Sequence, residues 1–176
     1  MTSSARQILP PALAMSAIVL LSNLLVQFPI NAWLTWGAFS YPVAYFVTDV
    51  CNRTSGSAMA RRVAWVGFAV GLILSIIFAP LRIALASGTA FIVSQLLDVA
   101  VFNRLRRQSW WKAPLFGSAA ASIVDTSLFF GIAFAGTSVP WLPLAAGDLA
   151  VKIFMALALL PPYRVLVNRI APHAPV

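Results

Sequence analysis

Asp49, Asp98, Asp125, Asp148 and Lys152 all lie within or at the ends of long apolar stretches, in a chain that contains no glutamate. An ionisable side chain near the middle of a membrane helix costs on the order of 2.5–3.5 kcal/mol on insertion scales, so each of these positions needs a reason. A carboxylate held there can accept paired N–H donors, neutralise a cation or take up a proton. Asp148 and Lys152 are four residues apart with the acid first, the favourable order for a pair on one helix. A self-neutralising structural pair is therefore one reading of them. Asp125 lies deepest, with no basic residue within about two helical turns of its own stretch, and a functional role is favoured there. Asp49 and Asp98 lie nearer arginine-bearing ends, where pairing with Arg53, Arg61 or Arg104 is a structural alternative.

Helical phase gathers other polar residues onto the same faces. Ser16, Asn23 and Gln27 share one stripe; Tyr41, Tyr45, Thr48 and Asn52 share another, with Asp49 at its edge. Ser87, Ser94 and Asp98 align with Gln95 beside them, and Ser118, Ser122 and Asp125 align with Thr126 beside them. Stripes of this kind describe a helical bundle around a hydrophilic cavity. The tyrosines can equally serve as packing aromatics, and Gly117 with Ala121 as a helix-packing surface. Ser75 is the lone polar residue of its stretch, which suits a scaffold or lipid-facing helix.

The elements that must position these groups follow from composition. Hydrophobic residues make up 61% of the 176 and charged residues 9%, with a mean hydropathy of +0.90. A soluble domain of this size could not bury that much apolar surface. Six apolar stretches predict membrane spans near Pro11–Phe28, Asn31–Val50, Val63–Leu81, Ile83–Phe102, Pro114–Ala135 and Leu142–Leu160. Residues 1–176 thus read as a single six-helix, all-α membrane domain. Pro11 and Pro114 suit a first helical turn, whereas Pro42 should kink or unwind the second span and leaves a half-helix or re-entrant arrangement open there. The first span is too long for a cleavable signal peptide and lacks a convincing cleavage site.

Charge sets the orientation. Arg6, Arg53, Arg61, Arg62, Arg104, Arg106, Arg107, Lys112, Arg164 and Arg169 fall on one side of the six spans, and Arg82 alone on the other, where it can act as an interface anchor. The positive-inside rule places both termini in the cytoplasm. Trp33, Trp36 and Trp141 belong to the outer interface and Trp65, Trp110 and Trp111 to the inner one. The net charge of +8 is then a topology signal, and no nucleic-acid partner is implied. One histidine (His173) and one cysteine (Cys51) exclude a disulfide framework and a Cys/His zinc site. Nucleotide-binding and hydrolase motifs are missing, so neither an enzyme nor a cofactor is expected.

The segments Tyr41–Asp49, Arg82–Ser87, Ser94–Asp98, Val101–Arg106, Trp110–Pro114 and Asp125–Phe130 resemble the queuosine-precursor transporters of the vitamin-uptake-transporter group. The likeness runs from Ser22–Gln27 to the helix of Asp148 and Lys152. It implies uptake of 7-cyano-7-deazaguanine or 7-aminomethyl-7-deazaguanine across the bacterial cytoplasmic membrane for salvage into tRNA queuosine. It also implies a bundle resembling the substrate-binding subunits of energy-coupling-factor importers. The connection around Ala79–Arg82 is shorter than in some relatives, which puts any lid role for it in doubt.

A deazaguanine offers adjacent N–H donors, a carbonyl and a flat face, which carboxylates, amides and aromatics can match. Together with the phase pattern, the resemblance nominates Asn23, Gln27, Tyr45, Asp49, Ser87, Gln95, Asp98, Ser122, Asp125 and Lys152 as substrate-binding residues. Asp125 or Asp98 would take the N–H edge, and Asn23 or Gln95 the carbonyl edge. The leading reading is a solitary secondary carrier or facilitator whose partners are the purine-like substrate and membrane lipid, with a homodimer compatible. Lower stands a capture subunit of an ATP-driven importer, which would need an ATPase module and a docking face such as Ala12 and Ser16. A non-transporting scaffold is the third reading.

Overall fold

The computed structural model describes residues 3–170, with side chains from residue 8 onward; His173 and the side chain of Arg6 lie outside the described residues. Eight helices are present among them: α1 (Ser3–Leu25), α2 (Gly37–Ser40), α3 (Pro42–Ser55), α4 (Ser57–Phe78), α5 (Leu81–Leu105), α6 (Lys112–Phe134), α7 (Trp141–Ala158) and α8 (Leu160–Ile170). Five of these, α1 and α4 to α7, are long and apolar enough to cross a membrane. The protein is an all-α membrane protein.

The expected continuous span Asn31–Val50 is corrected. Residues 26–36 form an irregular loop, closed by bonds from the Ile30 N–H to the Leu34 carbonyl (2.7 Å) and from the Trp36 N–H to the Phe28 carbonyl (3.2 Å). One helical turn, α2, follows, and α3 starts at Pro42. Pro42 stands at the first position of α3, where its missing N–H costs nothing, rather than inside a long helix. Apolar composition alone could not separate these cases. Pro11 is displaced from its expected place too, since α1 begins at Ser3 and carries Pro10 and Pro11 in its interior. Pro114 does fall in the first turn of α6.

The irregular segment is held by two glycines. A β-carbon on Gly37 would lie 2.9 Å from the Ser22 carbonyl oxygen of α1, and one on Gly147 would lie 1.8 Å from the Trp33 carbonyl oxygen. Backbone thus meets helix directly at both points. Gly147→Ala is expected to unseat the Trp33 loop from α7, costing about 1–3 kcal/mol as an overpacked contact. A lowered melting temperature in detergent, with faster protease cleavage within residues 26–36, would check this.

α4 is not the plain helix its sequence suggests. Gly67, Gly71 and Ser75, spaced four apart, receive Met15, Val19 and Asn23 of α1, also spaced four apart. Small residues let the two helices close up, and the Asn23 amide donates to the Ser75 hydroxyl at 2.5 Å. The opposite face of α4, with Val66, Val70, Ile73 and Ile77, is exposed and suits lipid. Ala12 and Ser16 are buried inside the bundle, Ser16 donating to the Ala12 carbonyl, so the small-residue pair considered for docking is already covered.

At the arginine-rich end, α8 lays Tyr163 and Val167 over Val50, Phe102 and Ala113. Arg53, one of the orienting charges, is buried. Its Nε donates to the Tyr163 hydroxyl (3.0 Å) and its Nη1 to the Arg106 carbonyl (2.8 Å), just past the end of α5. Burial pushes the Tyr163 hydroxyl up to about 12, so it stays neutral as the acceptor. At the other end Arg82 donates to the carbonyls of Ile132 (2.9 Å) and Ala135 (2.6 Å), satisfying acceptors where α6 ends.

Candidate substrate site

The deepest polar group is an ion triad contributed by two helices. Lys152 of α7 donates to Asp125 of α6 at 2.7 Å, reaches Asp148 one turn back on α7 at 2.5 Å, and contacts the Thr126 hydroxyl at 3.1 Å. Thr126 in turn donates to Asp148 at 2.8 Å, and Ser94 of α5 to the second oxygen of Asp125 at 3.3 Å. The Tyr41 ring lies 5.0 Å from the Lys152 ammonium, a cation–π approach in a desolvated place. All of these side chains are buried.

Lys152 lines two separate hollows. Towards the end carrying Trp33 and Trp141, it shares one with Asn23, Tyr41, Ser87, Asp125, Phe129 and Asp148. Towards the arginine-rich end, it shares the other with Tyr45, Asp49, Ser118 and Tyr163. Each holds a free volume of about 20 Å³, room for a water and not for a bicyclic base. The structure is therefore closed around the triad. A wider recess of about 350 Å³ opens above the first hollow, walled by Val26, Gln27, Thr35, Phe130 and Phe134.

A second buried polar group lies below the triad. Asp49 accepts from Ser118 at 3.2 Å and faces Asp98, whose oxygens accept from no described hydroxyl or N–H. Thr48 donates to the Gln95 carbonyl oxygen at 2.6 Å, leaving the Gln95 NH₂ without a partner. Tyr45 sits between the groups, packed edge-on to Tyr41. A β-carbon on Gly117 would lie 2.7 Å from Asp98 Oδ1. Gly117→Ala is accordingly expected to push the Asp98 carboxyl off its seat while sparing the triad. The check is a several-fold loss of transport at unchanged membrane abundance.

The expected site residues divide accordingly. Asn23, Ser87, Asp125 and Lys152 meet at the first hollow; Tyr45, Asp49, Gln95 and Asp98 gather below. Ser122 is buried on α6 between them with an unpartnered hydroxyl. Gln27 stands apart: α1 has ended at Leu25, its side chain donates to the Asn23 carbonyl, and it lines the outer recess. Asp148 and Tyr41 enter the site without having been nominated. The four-residue spacing of Asp148 and Lys152 was the available signal, and it was compatible with a self-contained pair. Arg61 and Arg104 form no ion pair with an aspartate among the described residues, while Arg53 lies near enough to act on the Asp49 charge.

Comparison with known proteins follows the same helices. The profile of the family described as "Putative vitamin uptake transporter" matches residues 35–81 and 74–166. The chain is 34% identical to the "Queuosine precursor transporter" of Escherichia coli (strain K12), over 86% of this chain and 82% of that protein. The chain belongs to the queuosine precursor transporter family. It is also 33% identical to the "Probable queuosine precursor transporter" of Haemophilus influenzae, with the same coverage of each chain. The protein of that name in Bacillus subtilis is 31% identical over 72% of this chain and 69% of its own. No solved structure matches. The family is one of transporters and not of enzymes.

Proposed function

We propose that this protein imports queuosine precursors, 7-cyano-7-deazaguanine or 7-aminomethyl-7-deazaguanine, across the bacterial cytoplasmic membrane as a solitary carrier. The observation that carries the reading is the buried triad of Asp125, Lys152 and Asp148, whose Lys152 lines one hollow towards each end of the bundle in a chain of this family. A partition flanked by two narrow hollows is what a carrier needs between its two open states.

The ligand enters through the recess beside Gln27, Phe130 and Phe134. It then displaces the contacts around the first hollow, with Asp125 accepting N–H donors, Asn23 and Ser87 meeting the polar edge, and Tyr41 and Phe129 against the ring. Parting of α3 and α8 from α6 and α7 then opens the second hollow. There Tyr45, Asp49, Ser118 and, on α5, Gln95 and Asp98 receive the ligand, with Ser122 between the two stations.

Six crossings follow if the loop, α2 and α3 together make the second. At 1.5 Å per residue the fourteen residues of α3 reach roughly 21 Å, short of the ~30 Å hydrocarbon core. The loop and α2 complete the distance, their backbone held against α1 and α7, the condition under which irregular backbone is tolerated at membrane depth. Both termini then lie in the cytoplasm with the basic connections. The likeness to energy-coupling-factor capture subunits rests on the family resemblance alone. The lower-ranked ATP-driven reading loses its candidate docking pair, since Ala12 and Ser16 are buried within the chain.

The test is uptake of labelled precursor into cells lacking both queuosine synthesis and their own transporter. Accumulation dependent on this protein supports the reading. Background accumulation at a verified membrane level contradicts it, and co-purification with an ATPase would move the protein to the ATP-driven class.

A further inference from the structure

The triad does not balance. Two carboxylates, Asp125 and Asp148, share a single ammonium, Lys152, so the fully ionised group carries one net negative charge in a buried place. The groups facing it are Tyr41 and Tyr45 near and in α3, Ser94 and Ser87 on α5, Asn23 on α1 and Thr126 on α6, none of them a cation. Asp49 and Asp98 lie farther toward the arginine-rich end, where Arg53 and Tyr163 stand around Asp49. The hollow beside the triad also presents the Ser87 hydroxyl, buried and without a partner.

We propose that the triad sets a one-charge rule for the ligand: the occupied site holds one added positive charge, supplied either by the ligand itself or by a proton. This rests on the precursor-uptake reading and goes beyond it by assigning the coupling ion and the basis of selectivity. The aminomethyl precursor is a primary ammonium at neutral pH and brings its own charge. The nitrile precursor is neutral and enters with one proton, which the triad's carboxylates carry in transit and which leaves with the ligand on the far side. No bond other than that O–H forms or breaks. Both cargoes then move one positive charge inward, so a membrane potential negative inside drives both.

The rule gives the two substrates opposite pH dependence. A proton is a co-ligand for the nitrile and a competitor for the amine, and linkage makes the two effects reciprocal in sign. In proteoliposomes of purified protein with labelled precursors, KM for the nitrile should fall and KM for the amine rise as outside pH is lowered from about 8 to about 6, each by up to about tenfold per unit. Asp148→Asn makes the triad neutral and should flatten both slopes, with the amine losing affinity severalfold more than the nitrile.

Parallel slopes, or two flat ones, in a wild-type protein that carries both compounds would overturn the rule and leave the uptake reading standing. Slopes that persist unchanged in a folded Asp148→Asn would move the proton elsewhere and overturn it as well. Should that variant fail to fold, the opposed wild-type slopes still decide. Transport of neither compound would remove the substrate reading itself, and the inference with it.

Discussion

Lys152→Met is expected to cost about 3–5 kcal/mol of stability, the penalty for leaving a buried charge without its partner. The methionine matches the lysine stem, so packing changes little, and the effect is electrostatic. Asp125 and Asp148 would lose their shared ammonium inside a site where neither is more than slightly exposed. The melting temperature in detergent should drop and membrane abundance with it. Adding Asp148→Asn and Asp125→Asn to Lys152→Met removes the uncompensated charges, and the triple variant should recover much of the stability without recovering transport. Recovery of both would mean that the triad only holds helices together.

Asp125→Asn is expected to reduce precursor uptake by about ten- to a hundredfold, the loss that goes with one hydrogen bond to a charged group at roughly 1.5–3 kcal/mol. The substitution conserves shape, keeps an acceptor for Ser94 and leaves Lys152 paired with Asp148, so the fold should persist. What disappears is the anionic acceptor on the wall of the first hollow. Uptake at matched membrane abundance is the measurement. Normal uptake would remove Asp125 from its central place.

Much of this was legible in the residues, and the failures have physical causes. The long apolar runs that became α4, α5, α6 and α7 needed only length and hydropathy. Helical phase placed Ser94 and Asp98 on one face of α5, and Ser118, Ser122 and Asp125 on one face of α6. Phase failed at Gln27 because the helix that defined it stops at Leu25. It failed for the second span because an apolar loop, a single turn and a proline-started helix have the same hydropathy as one continuous helix.

The partner of Asp125 could not be read from its own helix. Lys152 lies 27 residues away, and only the packing of α6 on α7 brings the two to 2.7 Å. Arg53 shows the same limit, since position gave only its side of the membrane, while the packing of α8 and the end of α5 bring Tyr163 and the Arg106 carbonyl to it.

Under the proposed function, the precursor occupies the hollow between Asn23, Ser87, Asp125 and Lys152. Cys51 is the only cysteine, so Cys51→Ser followed by Ser87→Cys places one thiol on that wall. The most direct measurement is the rate at which a small thiol reagent modifies this variant, with and without saturating precursor, once uptake is shown to be retained. The expected result is marked slowing by either deazaguanine and none by an unrelated purine nucleoside. An unchanged rate in a protein that still transports would place the ligand elsewhere.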